Sequence, residues 1–465
     1  MQESKADWRA IGRLAWPAIV QEALATLVVY ADTAMVGALG ANASAAVGLT
    51  ATVGWLVSSL AGVAGVGVLS VCAQADGAGD EALLNRAGQQ ALFLKMFTGA
   101  LLTAVCLGIA PFLAGWLGGD EAIRADATAY FTIVSIPLVF RAAVLTLSGA
   151  LRGVSDMKTP MLIGLIMNGV NIVLNFFLIF PPRRIGRVPV YGAGLGVRGA
   201  AIATAVSLSI GGVLMFLRFV QNPRFGFRRT GFHPDRAVLS RCLSIALPVA
   251  LQRGVICFGH ILFSSLIARL GVVPLAAHTI AIQAEQAFYV PGYGLQAAAA
   301  TLAGNAAGEG NERKLRRTGF LLSAAAALLM LAAGALLFFL APALMRLFAP
   351  DEAVVRLGAA VLRIVSVSEP VYGVLVVLEG VFNGMGDTRP PVLYAVCTSW
   401  GVRVLGSALM IYGFHLGLSA VWVMMVLDNT CRCLLLLRRF RSGKWRQRLA
   451  IARAQGGAQP CDLEG

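Results

Sequence analysis

A single carboxylate lies inside the first long apolar stretch of the chain. Asp32 is the only charged residue between Leu24 and Leu39. An apolar segment needs about 20 residues to span a bilayer, and this one is long enough, so Asp32 is expected at membrane depth. Ionisable residues at that depth are rare and indicate a proton, ion or substrate site. The alternative is a structural Asp that hydrogen-bonds to backbone or caps a broken helix.

Carboxamides recur on the fifth apolar segment, at Asn168, Asn171 and Asn175. Their spacing of i, i+3 and i+7 places them on one face of a helix. Counted from the outer ends of their segments, Asp32, Asn175 and Thr204 share a depth of roughly 10 Å. These groups predict a hydrogen-bonded pocket for a proton or a small cation. The alternative is an Asn ladder that only holds helices together.

The composition indicates which elements hold these side chains. The 465 residues are 58% hydrophobic and 13% charged, whereas about a quarter of the residues of a soluble protein are charged. We therefore expect an all-α polytopic membrane protein with about twelve transmembrane helices. The apolar spans lie near 14–39, 44–73, 88–116, 125–150, 160–181, 195–220, 242–269, 275–303, 317–341, 354–382, 391–413 and 417–438.

The sequence repeats itself at an offset of 231 residues (248 minus 17), and we call positions related by this offset twins. Matches concentrate on Gly and Pro at segment boundaries, which indicates an internal duplication. The matched pairs include Pro17 with Pro248, Gln21 with Gln252, Gly149 with Gly380, Gly153 with Gly384, and Asp156 with Asp387. Six spans per half predict two parallel-repeat six-helix lobes around a central cleft.

The breaks between spans and the distribution of charge predict the domains. We expect an N-terminal lobe over 1–220, a cytoplasmic linker over 221–241, a C-terminal lobe over 242–440 and a basic cytoplasmic tail over 441–465. Lys and Arg gather on the side that holds both termini, which predicts a multi-pass protein of the cell (inner or plasma) membrane with cytoplasmic termini. The same rule explains the net charge of +15 without a nucleic-acid partner.

The second half does not repeat the polar chemistry of the first. Phe263 is the twin of Asp32. Arg403 and Asp428 lie near mid-membrane on consecutive spans, and we expect them to form an ion pair inside the lobe. Four other polar residues are candidates for lining the substrate cleft: Asn168, Gln252, Gln283 and Glu285.

These residues resemble the multidrug and toxic compound extrusion (MATE) family over nearly the whole chain. The run 31–37, followed by Leu39 and Gly40, looks like the signature of the family's first helix. The loops 151–160 and 382–390 look like its paired loop motifs. An Asp on span one, with polar residues on spans five and six, is similar to the DinF-like prokaryotic branch.

The resemblance implies a secondary active antiporter that exports organic cations and amphipathic compounds in exchange for H⁺ or Na⁺ by alternating access. Asp32 would carry the coupling ion, including a candidate Na⁺, with Asn171, Asn175 and Thr204 around it. Pro17 matches the family's first-helix proline, a candidate hinge. Some members have Asp where this chain has Asn175, so the choice of ion stays open. We expect no cofactor and a monomer in the lipid bilayer.

Two other classes of function were weighed. A lipid-linked oligosaccharide or lipid flippase of the same wider superfamily would share the lobes and the cleft, but it resembles a fourteen-helix plan with a basic cavity. An intramembrane enzyme needs a nucleophile and a base, or metal ligands. The four histidines form no such motif, and the eight cysteines show no zinc or disulfide spacing. We therefore expect a transporter and not an enzyme.

Overall fold

The computed structural model describes residues 2–185, 188–226, 234–349 and 351–446. The first half is almost entirely helical, and a small antiparallel hairpin, β1 (Arg183–Ile185) and β2 (Val188–Val190), lies in its basic loop. Its helices are α1 (Gln2–Gly37), α2 (Ala41–Ala78), α3 (Glu81–Trp116), α4 (Glu121–Ser135), α5 (Leu138–Gly153), α6 (Lys158–Leu178) and α7 (Gly196–Gln221).

The second half is helical throughout its described residues. A 3₁₀ turn (Ala287–Tyr289) joins α9 to α10, and a π-helical segment (Ser399–Val404) joins α14 to α15. The helices are α8 (Arg236–Ala268), α9 (Val272–Gln286), α10 (Val290–Gly308), α11 (Glu312–Phe348), α12 (Glu352–Ser366), α13 (Glu369–Met385), α14 (Arg389–Thr398), α15 (Leu405–Tyr412) and α16 (Leu418–Ser442). The predicted all-α membrane fold is confirmed.

The helices account for the predicted spans. By length and hydropathy, the described residues contain nine spanning helices, or up to eleven when two bent pairs each count as one span. The run from α9 through α10 follows the same course as α2, 231 residues later (272 minus 41). With that run included, each half has six spans.

Two of the spans are broken where the sequence predicted continuous helices. The α4–α5 pair bends by 48° and the α12–α13 pair by 56°. The breaks lie at 136–137 and at 367–368, which are twin positions. Pro137 precedes the first residue of α5 and Pro370 lies in the first turn of α13. A proline ring clashes with the preceding turn and removes a backbone donor, so the helix ends there.

Close helix contacts explain why the repeat keeps certain glycines. Helix α2 packs against α5, and α10 packs against α13 in the same way. A Cβ atom added at Gly149 would clash with the carbonyl of Gly65, and one added at Gly380 would clash with the carbonyl of Gln296. The two contacts are twins. Small residues let membrane helices approach closely where apolar packing is the main attraction.

The chain divides into two compact units, Met1–Gly254 and Val255–Gly465. The core of the first unit includes side chains from the start of α8, among them Val238, Cys242 and Ile245. The core of the second unit includes Phe263 from the end of α8. The predicted lobe boundary at 242 stays a prediction.

The described ends of the predicted linker are attached to the first unit. Arg224 forms an ion pair with Asp76 at the end of α2. Asp235 accepts hydrogen bonds from the backbone of Val238 (3.2 Å) and Ala237 (2.9 Å) and lies 3.3 Å from Arg86 of α3. These hydrogen bonds, the one from Val238 above all, hold the pKa of Asp235 below its usual range. Asp235 thereby caps the start of α8.

The loops after α5 and after α13 have the same backbone path. The amide of Asp156 donates to the carbonyl of Leu151 (2.9 Å), and the amide of Asp387 donates to the carbonyl of Phe382 (3.0 Å). The residue before each aspartate has a left-handed conformation, with φ of 65° at Ser155 and 76° at Gly386. The duplication therefore extends to the details of these turns.

Candidate cation site

Three helices of the first unit position the predicted polar cluster. Helix α1 packs against α6, and α6 packs against α7. Asp32 lies on α1, Asn171 and Asn175 on α6, and Thr204 on α7. Helix α1 is apolar around Asp32, so its polar side chain has to find partners on the neighbouring helices.

One chain of hydrogen bonds links the four side chains. The Nδ2 atom of Asn175 donates to Oδ1 of Asp32 and, at 3.1 Å, to Oδ1 of Asn171. The Nδ2 atom of Asn171 lies 3.4 Å from Oγ1 of Thr204 and donates to it. The i, i+4 spacing of the two asparagines makes this possible, since residues four apart are neighbours on a helix surface.

The cluster is buried and has few donors for its oxygen atoms. Asn175 is 0% exposed, Asn171 is buried, and Asp32 is half-buried. Oδ1 of Asn175 is buried and accepts no hydrogen bond from the described residues. Within the same part of the chain, Asp32 takes part in no ion pair. A carboxylate beside carboxamide and hydroxyl oxygens is a chemically suitable set for a proton or for a hard cation such as Na⁺.

The structure brings Asp32, Asn171, Asn175 and Thr204 together, and their role in coupling stays a prediction. The described residues contain no group of three or more His, Cys, Asp or Glu side chains that could hold a metal ion. A metal at this site would therefore depend on amide and hydroxyl oxygens as well as on the one carboxylate. Pro17 lies within α1, which is helical on both sides of it.

The four candidates for the substrate cleft lie in different surroundings. Asn168 is buried on the same face of α6 as the other asparagines, and Gln252 is half-buried on α8, both in the first unit. In the second unit Gln283 is exposed on α9, and Glu285 is buried and accepts a hydrogen bond from Tyr289. Their assignment to a cleft stays a prediction.

A second acidic cluster, in the second unit, was not predicted from the sequence. Glu369 is 1% exposed, and neither of its carboxylate oxygens has a hydrogen-bond partner among the described residues. It lies close enough to Glu285 to interact with it electrostatically. Tyr289 stacks on Tyr372 with ring centroids 4.3 Å apart. The signal in the sequence was Glu369 next to Pro370 inside an apolar span, where a helix break opens the backbone.

The predicted ion pair between Arg403 and Asp428 is present. Nε of Arg403 lies 2.8 Å from Oδ2 of Asp428, which is fully buried. Oδ1 of Asn429 accepts hydrogen bonds from Arg403 (3.1 Å) and from Arg432 (3.2 Å), and Arg432 lies 3.5 Å from Glu379. Two cations and two carboxylates are thus balanced within one lobe. Arg403 belongs to the π-helical segment, a local insertion that changes the direction of the side chains around it.

With the fold and the site described, the chain can be compared with known proteins. A multi-pass helical membrane protein with a duplicated half and a buried polar cluster has the properties of a secondary transporter. A family model described as MatE matches residues 17–177 and 248–409. The two matches start 231 residues apart (248 minus 17), in agreement with the repeat. The chain belongs to the MATE family of multidrug efflux transporters.

Similar proteins cover almost the whole chain. It is 29% identical to the probable multidrug resistance protein NorM of Thermotoga maritima, over 95% of this chain and 94% of that protein. It is 26% identical to the probable NorM of Xanthomonas axonopodis pv. citri, over 93% of each.

Solved structures agree with these relatives. A MOP superfamily transporter from Pyrococcus furiosus matches with a TM-score of 0.85 at 25% identity, over 97% of both chains. A MATE in complex with MaD3S matches with a TM-score of 0.83, also at 25% identity, over 96% of this chain and 97% of that one. The relatives are transporters and not enzymes, and the flippase alternative is not favoured.

Proposed function

We propose that this protein is a secondary active multidrug antiporter that exports organic cations and amphipathic compounds in exchange for H⁺ or Na⁺ by alternating access. It works as a monomer in the inner or plasma membrane, with both termini in the cytoplasm. The observation that carries the coupling mechanism is the hydrogen-bonded chain from Asp32 through Asn175 and Asn171 to Thr204.

Asp32 is the member of this chain that changes charge when an ion binds. The other three side chains are neutral and hold it in place. A carboxylate with neutral partners only, in a low-dielectric environment, gains much from a proton or a cation. Uptake of the ion changes the charge of the pocket, and this change is a suitable trigger for a step in the transport cycle.

The test uses purified protein in proteoliposomes, with export of a fluorescent organic cation measured under separate pH and sodium gradients. One gradient should drive export in the wild type and thereby identify the ion. Asp32→Asn keeps the shape and a hydrogen-bonding group but removes the ionisable one, so export should fall to background while the protein stays monodisperse.

The matched control is Asp126→Asn, the same chemical change at an exposed position of α4. It should transport at the wild-type rate. Wild-type transport per folded molecule by Asp32→Asn would contradict the coupling role. Poor folding with normal transport in the folded fraction would show that Asp32 is structural.

Glu369 is a candidate for a second ion site, because its buried carboxylate has no hydrogen-bond partner among the described residues. A buried carboxyl group without a partner is costly when charged, so it favours binding a proton or a cation. Glu369→Gln should lower ion-driven export about tenfold or more, as removal of a proton-transferring group typically does. Glu352→Gln, at an exposed carboxylate of the same bent span, should leave export unchanged. Equal rates in both variants would exclude the second site.

A further inference from the structure

A cavity of about 220 Å³ lies between the N-terminal part of α1 and the loop that follows α5. Two cations, Arg13 and Lys158, line it together with Asp156 and the apolar side chains of Leu14 and Met157. Arg13 and Lys158 are exposed, and neither forms an ion pair with another described residue. The cavity therefore offers two cationic groups to something from outside the chain.

Asp156 is the one carboxylate at the cavity, and α6 already uses it. Its Oδ1 accepts from the amide of Thr159 (3.0 Å), and its Oδ2 accepts from the hydroxyl of Thr159 (2.7 Å). It caps the start of α6 and makes no printed contact with either cation. The local charge of the cavity is positive, since two cations face one carboxylate.

The twin loop shows that the cavity is not a requirement of the fold. In the second half Asp387 is 1% exposed and is held by two hydrogen bonds from Arg439 of α16, of 3.0 Å and 2.8 Å. Helices α7 and α16 correspond at an offset of 221 (440 minus 219), so the counterpart of Arg439 is Arg218. That residue is exposed on α7 and has no ion pair among the described residues. The first half leaves open the place that the second half closes.

Aromatic residues locate the cavity at the surface of the membrane. Trp8 is 44% exposed and Trp16 is 48% exposed, and they lie before and after Arg13 on α1. Exposed tryptophans mark the level of lipid headgroups in membrane proteins. Basic pockets at that level attract anionic lipids, because the surface charge of the membrane adds to the local one.

We propose that this cavity binds the phosphate group of an anionic phospholipid, held by Arg13 and Lys158. Charge-assisted hydrogen bonds to phosphate are the strong contacts that such a pair supplies. The acyl chains of the lipid would lie along the apolar surface of α1, with the phosphate at the level of the tryptophans. The inference goes beyond the proposed transport function and does not depend on it.

The test is native mass spectrometry of the whole purified protein with a short-chain phosphatidylglycerol. Wild type should retain the lipid, and Arg13→Gln combined with Lys158→Gln should bind it about tenfold more weakly or worse. Arg13→Lys combined with Lys158→Arg keeps both charges and should restore most of the binding. Arg389→Gln is the matched control, because Arg389 is the twin of Lys158.

Two further arms distinguish the source of the phosphate. A diacylglycerol with the same chains lacks the phosphate and should not be retained. Inorganic phosphate at the same concentration should not displace the lipid, and displacement by it would overturn a lipid in favour of a soluble phosphate. Retention of phosphatidylglycerol by the Arg13→Gln/Lys158→Gln protein at wild-type strength would overturn the site. A check of monodispersity excludes misfolding as the cause of any loss.

Discussion

The two halves of the molecule share one scaffold and use it for different chemistry at matched positions. Asp32 accepts a hydrogen bond from Asn175 in the first half, whereas the twins of these two residues are Phe263 and Gly406. Phe263 is 3% exposed and packs edge-on against His278, with the guanidinium of Arg403 6.0 Å from its ring centre. The scaffold folds with an apolar ring at this position. The carboxylate in the first half therefore points to function and not to a folding requirement.

The use of charge inside the two halves differs as well. Buried carboxylates of the second half lie beside arginines, in the pairs Arg403–Asp428, Arg432–Glu379 and Arg439–Asp387. In the first half Asp32 has neutral partners. A paired charge is already balanced and gains little from an ion, whereas a carboxylate with neutral partners gains much. Glu369 is the carboxylate of the second half that departs from this pattern, which is why it deserves its own test.

The largest effect on stability is expected from splitting a pair of the second half. Arg403→Gln or Asp428→Asn alone leaves a buried charge without its partner and should lower the free energy of unfolding by about 3–5 kcal/mol. The combined variant should be less destabilised than either single one. Detergent-induced unfolding of the purified protein measures all three. A double variant that folds normally but does not transport would move this pair from structure to function.

A smaller difference is expected between the two arginines at the loops. Arg439→Gln leaves Asp387 buried without its cation and should cost about 3 kcal/mol. Arg218→Gln, at the corresponding exposed position, should change stability by less than about 0.5 kcal/mol. The comparison uses the same unfolding assay. Equal losses in the two variants would mean that the first half also depends on this arginine, and the contrast between the loops would fail.

The smallest effect concerns the left-handed residues of the same loops. Ser155→Gly should stabilise the protein by about 1 kcal/mol, because a left-handed backbone is costly for a residue with a Cβ atom. Gly386→Ser should destabilise it by a similar amount. Opposite signs in the unfolding assay are the expected result. The same sign for both would show that the contacts of the side chain outweigh the backbone term.

Several features could be predicted from the sequence because they depend on local patterns. The spans follow from runs of apolar residues, and the duplication follows from the offset between Pro17 and Pro248. The meeting of Asp32 and Asn175 follows from helix geometry, since counting residues from the ends of two spans gives their depth. The pair of Arg403 and Asp428 was predictable in the same way, because two opposite charges in an apolar medium seek each other.

Other features were decided only by the tertiary structure. The order of hydrogen bonds from Asp32 to Thr204 depends on how α1, α6 and α7 pack, which no periodicity in one segment contains. Asp156 and Asp387 occupy twin loops, yet Arg439 contacts one and a cavity adjoins the other. The carboxylate of Glu369 is without a hydrogen-bond partner because of the side chains that surround it. Hydropathy and helical period report on a single helix and its depth, whereas the partner of a buried polar group is set by contacts between residues far apart in the chain.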